Sequence, residues 1–95
     1  MSPKRKLHQL IGTIKHCWPG TSKSRMHKNQ PFYCLEIKSQ TLLGERKETV
    51  YAFFNLVNKV IWNTLKSTTF KNQKYSFWCE KRTRGWRLKE WEEIN

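Results

Sequence analysis

The sequence predicts an all-β protein in which five strands form one small barrel and a single helix lies between the third and fourth strands. A chain of 95 residues is long enough for one modest core but too short for two. Five short segments alternate apolar and polar residues and are rich in aromatic or β-branched side chains, as strands are. One further segment repeats its apolar residues at helical spacing. The segments follow each other in the order β-β-β-α-β-β.

The first strand is predicted over Leu7–Trp18, where apolar residues recur until the turn signal Pro19-Gly20. Gly12 within this segment predicts a bulge or a sharp bend, which small barrels use to turn corners. Residues 1–6 contain the run Pro-Lys-Arg-Lys and are interpreted as a solvated basic arm. The single domain therefore comprises residues 7–95.

The segment Thr21–Gln30 is polar and has no apolar rhythm, which predicts an exposed loop between the first two strands. Such loops run over the surface, where a ligand can reach them. Three cations of this loop are candidates for contact with a polyanion: Lys23, Arg25 and Lys28.

The second and third strands are predicted to form a hairpin. The second covers Phe32–Ser39, whose odd-numbered apolar residues face the core while the even-numbered ones, Lys38 among them, face outward. The third covers Glu48–Phe54, which is rich in β-branched and aromatic residues. Gly44 interrupts the strand pattern between them.

The helix is predicted immediately after the third strand, with Asn55 as its N-cap. Its apolar residues recur at helical spacing as far as Leu65. Trp62 lies out of line with this stripe, and we expect it to cover the open end of the barrel.

The fourth strand is predicted over Tyr75–Arg82 and the fifth over Trp86–Ile94, with Gly85 at the turn between them. Trp78 alternates out of phase with its apolar neighbours, so it should face away from the core. An outward-facing indole stacks on a ligand or fills the interface of a homodimer or homotetramer. Phe32 is a binding candidate of the same rank.

Five strands with one helix between the third and the fourth are the arrangement of the OB fold. This fold is a partly open barrel that takes up oligonucleotides on strands two and three and on the flanking loops. An SH3-like barrel is the main alternative, but it does not normally hold a helix of three turns at this place.

The charge of the chain points to a polyanionic partner. Lys and Arg number 19 against seven Glu and no Asp, so the formal net charge is +12. This density opposes a compact state by self-repulsion, which a polyanion relieves. The sequence shows no basic amphipathic helix, lipidation signal or apolar run of membrane-spanning length. We therefore expect an intracellular protein that binds nucleic acid and not membranes.

Catalysis, metals and cofactors are not expected. Cys17, Cys34 and Cys79 are odd in number and lack CxxC spacing, which argues against a disulfide framework and a zinc site and favours a reducing compartment such as the cytoplasm, nucleoid or organelle matrix. The seven glutamates do not form the carboxylate cluster of a metal-dependent nuclease. Without Asp there is also no Ser-His-Asp set.

Aromatic residues make up 14% of the chain and alternate with Lys and Arg. Single-strand binding uses this combination, because aromatic rings stack on bases while cations follow the phosphates. The sharpest local case is the hairpin Arg82-Thr83-Arg84-Gly85-Trp86. Here Trp86 would stack on a base, and three arginines would neutralise phosphates: Arg82, Arg84 and Arg87.

The segment Val50–Trp86 resembles the single-stranded-DNA-binding protein (SSB) family of bacteria and organelles. It carries that family's Arg-Thr-Arg-x-Trp hairpin and the spacing from a strand-ending Phe54 to the helical Leu65, although Asn55 replaces the usual glycine. The resemblance implies that Trp86 and Phe54 stack on DNA while Arg82 and Arg84 lie beside its backbone.

The sequence also lacks the acidic C-terminal tip by which typical family members recruit other proteins. The resemblance is therefore closest to the tailless primosomal members and to small members encoded by plastids, plasmids or phages. From this we expect a protein that does not serve as a recruitment hub.

These observations predict a protein that binds single-stranded DNA with little sequence specificity, in replication, recombination or repair. The main alternative is an RNA-binding OB module associated with ribosomes or translation, since stacking does not distinguish ribose from deoxyribose. A pure protein-interaction subunit is the third reading, and it predicts no salt-sensitive binding of nucleic acid.

Overall fold

The computed structural model describes residues 7–23 and 29–94, which form the predicted all-β barrel. The elements are β1 (His8–Thr21), β2 (Pro31–Thr41), β3 (Gly44–Phe53), α1 (Lys59–Ser67), β4 (Lys74–Arg82) and β5 (Gly85–Ile94). The barrel is closed in the order β1-β2-β3-β5-β4, and all neighbours are antiparallel except β3 and β5. With its helix between β3 and β4, this is the arrangement of the OB fold.

Three of the sequence predictions concern residues outside the described ranges. They are the basic arm at residues 1–6 and the contacts of Arg25 and Lys28 with a polyanion. They stay predictions.

β1 turns the corner of the barrel at Gly12, as the sequence predicted. The strand pairs with β4 up to Thr13 and with β2 from Gly12 onward. A Cβ atom at Gly12 would collide with the carbonyl oxygen of Lys38. Only glycine therefore allows the two backbones to approach so closely. A bulge follows between Ile14 and His16, where the register with β2 shifts.

β1 does not end before Pro19-Gly20, as the turn signal predicted, but continues through it to Thr21. Pro19 lies opposite Tyr33 in β2. In this half of β1 the pairing with β4 has already stopped. One edge of the strand is therefore free, which is where a sheet tolerates proline.

The hairpin of β2 and β3 is longer than predicted. Its ladder runs from the pair Phe32 and Phe53 to the pair Thr41 and Gly44, so most of the expected loop belongs to the strands. Gly44 has φ 119°, the positive value that a residue needs when it follows a type I turn at the end of a hairpin. The glycine therefore closes the turn and begins β3, instead of interrupting the strand pattern.

The helix begins later than predicted, at Lys59, and its N-cap is Asn58 instead of Asn55. The side-chain oxygen of Asn58 accepts a hydrogen bond from the backbone N–H of Ile61 at 2.9 Å, which is the bond that makes asparagine a favourable N-cap. The helix ends at Thr68 in a left-handed conformation with φ 56°.

The core fills the barrel with side chains from all five strands and from one face of the helix. The predicted alternation of β2 is confirmed, because Leu35 and Ile37 are fully buried. Ile61 and Leu65 turn the apolar face of α1 into the same core. The helix thereby packs against the core, and it does not cover the outer surfaces of β2 and β3.

Candidate nucleic-acid interface

Four aromatic side chains share the outer surface of β1, β2 and β3. We call this surface the outer aromatic face and define it by Trp18, Phe32, Tyr51 and Phe53. Their positions follow from the register, because directly opposed residues of paired strands point to the same side. One row joins Gly20, Phe32 and Phe53; the next joins Trp18, Cys34, Tyr51 and Arg87.

Three rings of this face, those of Phe32, Tyr51 and Phe53, form a cluster centred on Phe32. The Phe32 ring lies 5.8 Å from Tyr51 in an edge-on arrangement and 5.4 Å from Phe53 at a tilt of 50°, measured between ring centroids. Phe32 also covers Gly20, where a Cβ atom would come within 2.6 Å of the ring. The glycine thus lets the ring lie flat on the backbone of β1, and the face is fixed by packing before any ligand arrives.

Trp18 is the most open member of the face. Its side chain is 48% exposed, and its ring stacks on His16 with a centroid distance of 5.3 Å and an interplanar angle of 18°. His16 in turn lies 3.9 Å from the Glu36 carboxylate. The exposed part of this indole is a surface of the kind on which nucleobases stack.

Arg87 and Glu80 form the edge of the face on β5 and β4. The Arg87 guanidinium lies 5.4 Å from the centroid of the Phe53 ring, within the range of a cation–π contact. Glu80 Oε1 lies 3.0 Å from a guanidinium nitrogen of Arg82 and 3.8 Å from one of Arg87. Burial, and then the charge of Arg82, lowers the pKa of Arg87, while Glu80 raises it.

The contacts at this edge are ionic and leave hydrogen-bonding capacity unused. Neither Glu80 Oε1 nor Arg87 Nε forms a hydrogen bond with a described group, although both atoms are buried. Arg82 and Arg87, which the sequence predicts to contact phosphates, thus both lie beside the carboxylate of Glu80. A ligand phosphate would have to compete with Glu80 for them.

The hairpin between β4 and β5 is exposed at its tip, as predicted. Arg82, Thr83 and Arg84 are exposed, while Gly85 closes the turn with φ 134°. A Cβ atom at Gly85 would lie 2.7 Å from the carbonyl oxygen of Thr49, so the glycine allows the hairpin to lie against β3. Arg84 forms no ion pair with another described residue, and its charge is therefore open to a phosphate.

Trp86 is positioned differently from the sequence prediction of a solvent-facing turn. It is half-buried in β5 and packs against the core. Its Nε1 donates a hydrogen bond to Glu48 Oε2 at 2.6 Å. The ring meets His8 edge-on at 5.1 Å, and Lys81 Nζ lies 4.7 Å from its centroid. A base could stack on this indole only after displacing Lys81.

Phe54 follows the outer aromatic face at the end of β3. Its side chain is 52% exposed, and its ring meets Trp62 of α1 edge-on at 5.1 Å. Trp62 also lies 4.7 Å from the Tyr33 ring at the end of the barrel, which agrees with the covering role predicted for it. A cavity of about 570 Å³ opens beside these rings, and its wall includes Phe54, Trp62 and Lys59.

The remaining predicted site residues lie at three separate places. Trp78 is half-buried on β4, between Gln9 of β1 and Glu90 of β5, and it is not part of the core. Lys38 lies on the outer side of β2, with its Nζ 2.9 Å from the Glu45 carboxylate. Lys23 is exposed just beyond the end of β1.

Sequence reasoning found Phe32 but missed Trp18, Tyr51 and Phe53. The signal for the last two was present, because the aromatic residues of β3 alternate with the small buried residues Val50 and Ala52. Trp18 could not be placed in the same way, because the predicted strand ended there.

Cys17 and Cys79 are made less reactive by burial. Burial raises the pKa of Cys17 to about 11 and that of Cys79 to about 12, so both thiols stay protonated and poorly nucleophilic. Within residues 7–23 and 29–94, no group of three or more His, Cys, Asp or Glu residues could hold a metal ion. The helix in this part of the chain is too short and too polar to cross a membrane.

Comparisons with models of known protein families, with curated proteins and with solved structures give no match.

Proposed function

We propose that this protein binds single-stranded DNA on the outer aromatic face, with little preference for sequence. The observation that carries the proposal is the outer aromatic face itself, where three rings on β2 and β3 are in contact and the half-exposed Trp18 lies beside them on β1. An OB fold takes up oligonucleotides on this part of its surface. The resemblance of the Arg82–Trp86 hairpin to the SSB family supports the same class of ligand, single-stranded DNA.

The chemistry of binding is divided between rings and cations. The faces of Trp18 and its neighbours stack on bases, and each stacked base is worth about 1–3 kcal/mol by alanine substitution. Arg84 and Lys23 lie outside the face with exposed side chains and neutralise phosphates at its two ends. Because every base has a flat face, this mode of binding tolerates any sequence.

The test is a fluorescence titration with oligo-dT, oligo-U and duplex DNA at two salt concentrations. Trp18→Ala should weaken oligo-dT binding by about 1–3 kcal/mol, the value of one stacked base. Ile11→Ala is the matched control, since Ile11 is similarly exposed on the other half of the same strand, at 42%. Arg84→Ala should reduce the salt slope by about 0.7, the share of one phosphate contact on a single strand.

Two results would contradict the proposal. The first is equal affinity for duplex and single strand at low salt, which would remove the role of stacking. The second is unchanged affinity in both Trp18→Ala and Phe53→Ala with the fold intact, which would place the ligand elsewhere. Stronger binding of oligo-U than of oligo-dT would assign the same face to RNA.

A further inference from the structure

Two leucines at the tip of the β2–β3 hairpin are fully exposed. Leu42 and Leu43 have relative exposures of 107% and 100%, the highest among the exposed large apolar residues. Neither contributes to the core. Scattered apolar residues are normal on a surface, but two adjacent leucines at a projecting tip are a concentrated apolar feature that the proposed stacking function does not use.

The turn itself does not require leucine. The β4–β5 hairpin has the same construction, with two turn residues followed by a glycine at positive φ, and there the turn residues are Thr83 and Arg84. In the β2–β3 turn, the Thr41 side chain donates to the carbonyl of Gly44 and accepts from the N–H of Leu43. Backbone and Thr41 thus hold the turn without help from the leucine side chains.

The leucines are flanked by cations on both sides of the hairpin. Lys38 and Lys47 are opposed across the two strands on the outer side. Arg46 pairs with Ser39 and therefore points to the other side, with its side chain 68% exposed. The Glu45 carboxylate lies 2.9 Å from Lys38, and that of Glu48 lies 3.6 Å from Arg46. Lys47 forms no ion pair with a described residue, and a phosphate would compete with the two glutamates for the other two cations.

We infer that Leu42 and Leu43 form a wedge that inserts where a duplex opens into single strands. Apolar side chains that enter base steps unstack them, and leucine is one of the residues that act in this way. A hairpin between two separating strands meets phosphates on both sides, and it carries cations on both sides to receive them. The inference rests on the proposed function, since the strand leaving the junction would continue along β2 and β3 onto the outer aromatic face.

An apolar tip with lysine and arginine side chains beside it also suits an anionic membrane surface. The nucleic-acid junction is favoured because the stem of the wedge consists of the same two strands as the outer aromatic face. A second copy of the chain is a poor occupant, because each copy carries a formal charge of +12.

The experiment compares the affinity for a forked duplex with that for its single-stranded tail alone. The full chain should bind the fork about tenfold more tightly, the value of burying one leucine side chain. Leu42→Thr/Leu43→Gln gives the tip the polar character of the β4–β5 turn. It should bring the ratio of fork affinity to tail affinity close to one and leave the tail affinity unchanged. Leu42→Met/Leu43→Met stays apolar and should keep the ratio, as should Val60→Thr, which alters an exposed residue of α1. Circular dichroism checks that each variant is folded.

Each outcome decides the inference. A 2-aminopurine base at the junction should brighten with the natural chain and with the methionine variant but not with the polar one. No preference for the fork, or an equal preference in the polar variant, overturns the wedge. Sedimentation with phosphatidylserine vesicles that depends on the leucines, together with an unchanged fork ratio, would assign the tip to membranes and also overturn it. If the fork is bound through the leucines while the tail alone is not bound, the proposed function fails and the wedge stands.

Discussion

At the scale of single residues, Trp86 and Trp18 show how surroundings decide the role of an indole. Trp86 is half-buried on β5, where Glu48, Lys81 and His8 contact its ring. Trp18 stacks on the His16 ring and is half-exposed, with no other ring contact among the described residues. The same residue type therefore holds the fold together at one place and is free to bind a ligand at the other.

Trp86→Ala should lower the free energy of unfolding by about 3 kcal/mol, the lower end for a buried Trp→Ala change, because the ring is only half-buried. Trp86→Phe should keep the packing but lose the hydrogen bond to Glu48, at a cost of about 1 kcal/mol. Urea denaturation measures both values. Oligo-dT affinity of the folded variants should stay close to that of the natural chain.

Trp18→Ala is the matched comparison for this prediction, with the opposite pattern of effects. It should reduce affinity and leave the unfolding free energy nearly unchanged. If Trp86→Ala instead leaves stability intact and abolishes binding, the indole is a stacking platform, and Lys81 must move aside to admit the base.

At the scale of elements, the helix shows where local sequence signals compete. Asn55 and Asn58 are equally good N-caps by residue type, and the prediction that placed the cap directly after the third strand was wrong. The chain first forms a turn, in which the N–H groups of Leu56 and Val57 both donate to the carbonyl of Phe53. Only then does the helix begin, at a position from which Ile61 reaches the core.

Asn58→Ala should destabilise the protein by about 1 kcal/mol, because it removes the acceptor for the N–H of Ile61. Asn55→Ala is the matched control and should change stability by less than about 0.5 kcal/mol, as expected of an exposed turn residue. Thermal melting of the two variants side by side checks the difference. An equal loss in both would mean that the side chain of Asn58 does not cap the helix in solution.

The sequence was sufficient for features that depend on neighbouring residues. Alternation in β2, the corner at Gly12 and the order of the elements follow from local patterns. The passage of β1 through Pro19 could not be predicted, because it depends on which strand lies on either side. The contacts of Trp86 could not be predicted for the same reason. Glu48 lies 38 positions away in the chain and contacts the indole only because β3 and β5 are paired.

At the scale of the whole molecule, the dominant property is charge. Four glutamates form ion pairs with Lys, Arg or His side chains of the described residues: Glu36, Glu45, Glu48 and Glu80. These pairs offset only a part of the formal charge of +12. The remaining cations repel one another across a small barrel, so the folded state is under electrostatic strain that a bound polyanion relieves. Self-association, predicted from the sequence as a homodimer or homotetramer, meets the same repulsion.

Salt should therefore act on stability and on binding with opposite signs. Raising NaCl from about 20 to 200 mM shortens the Debye length from over 20 Å to under 10 Å, which screens the repulsion and should raise the melting temperature. The same change makes the release of counterions on binding less favourable and should weaken oligo-dT affinity. Melting curves and titrations in one buffer series measure the two effects.

The control for this prediction is Lys71→Glu, which alters an exposed residue outside the outer aromatic face. It lowers the formal net charge from +12 by two, because a positive charge is replaced by a negative one. The melting temperature at low salt should rise, and its dependence on salt should become weaker, while the affinity for a short oligo-dT changes little because Lys71 lies away from the rings. A melting temperature that falls with added salt in the natural chain would show that attractive ion pairs, such as those of Glu80, outweigh the repulsion, and that the charge of this barrel stabilises its fold without any ligand.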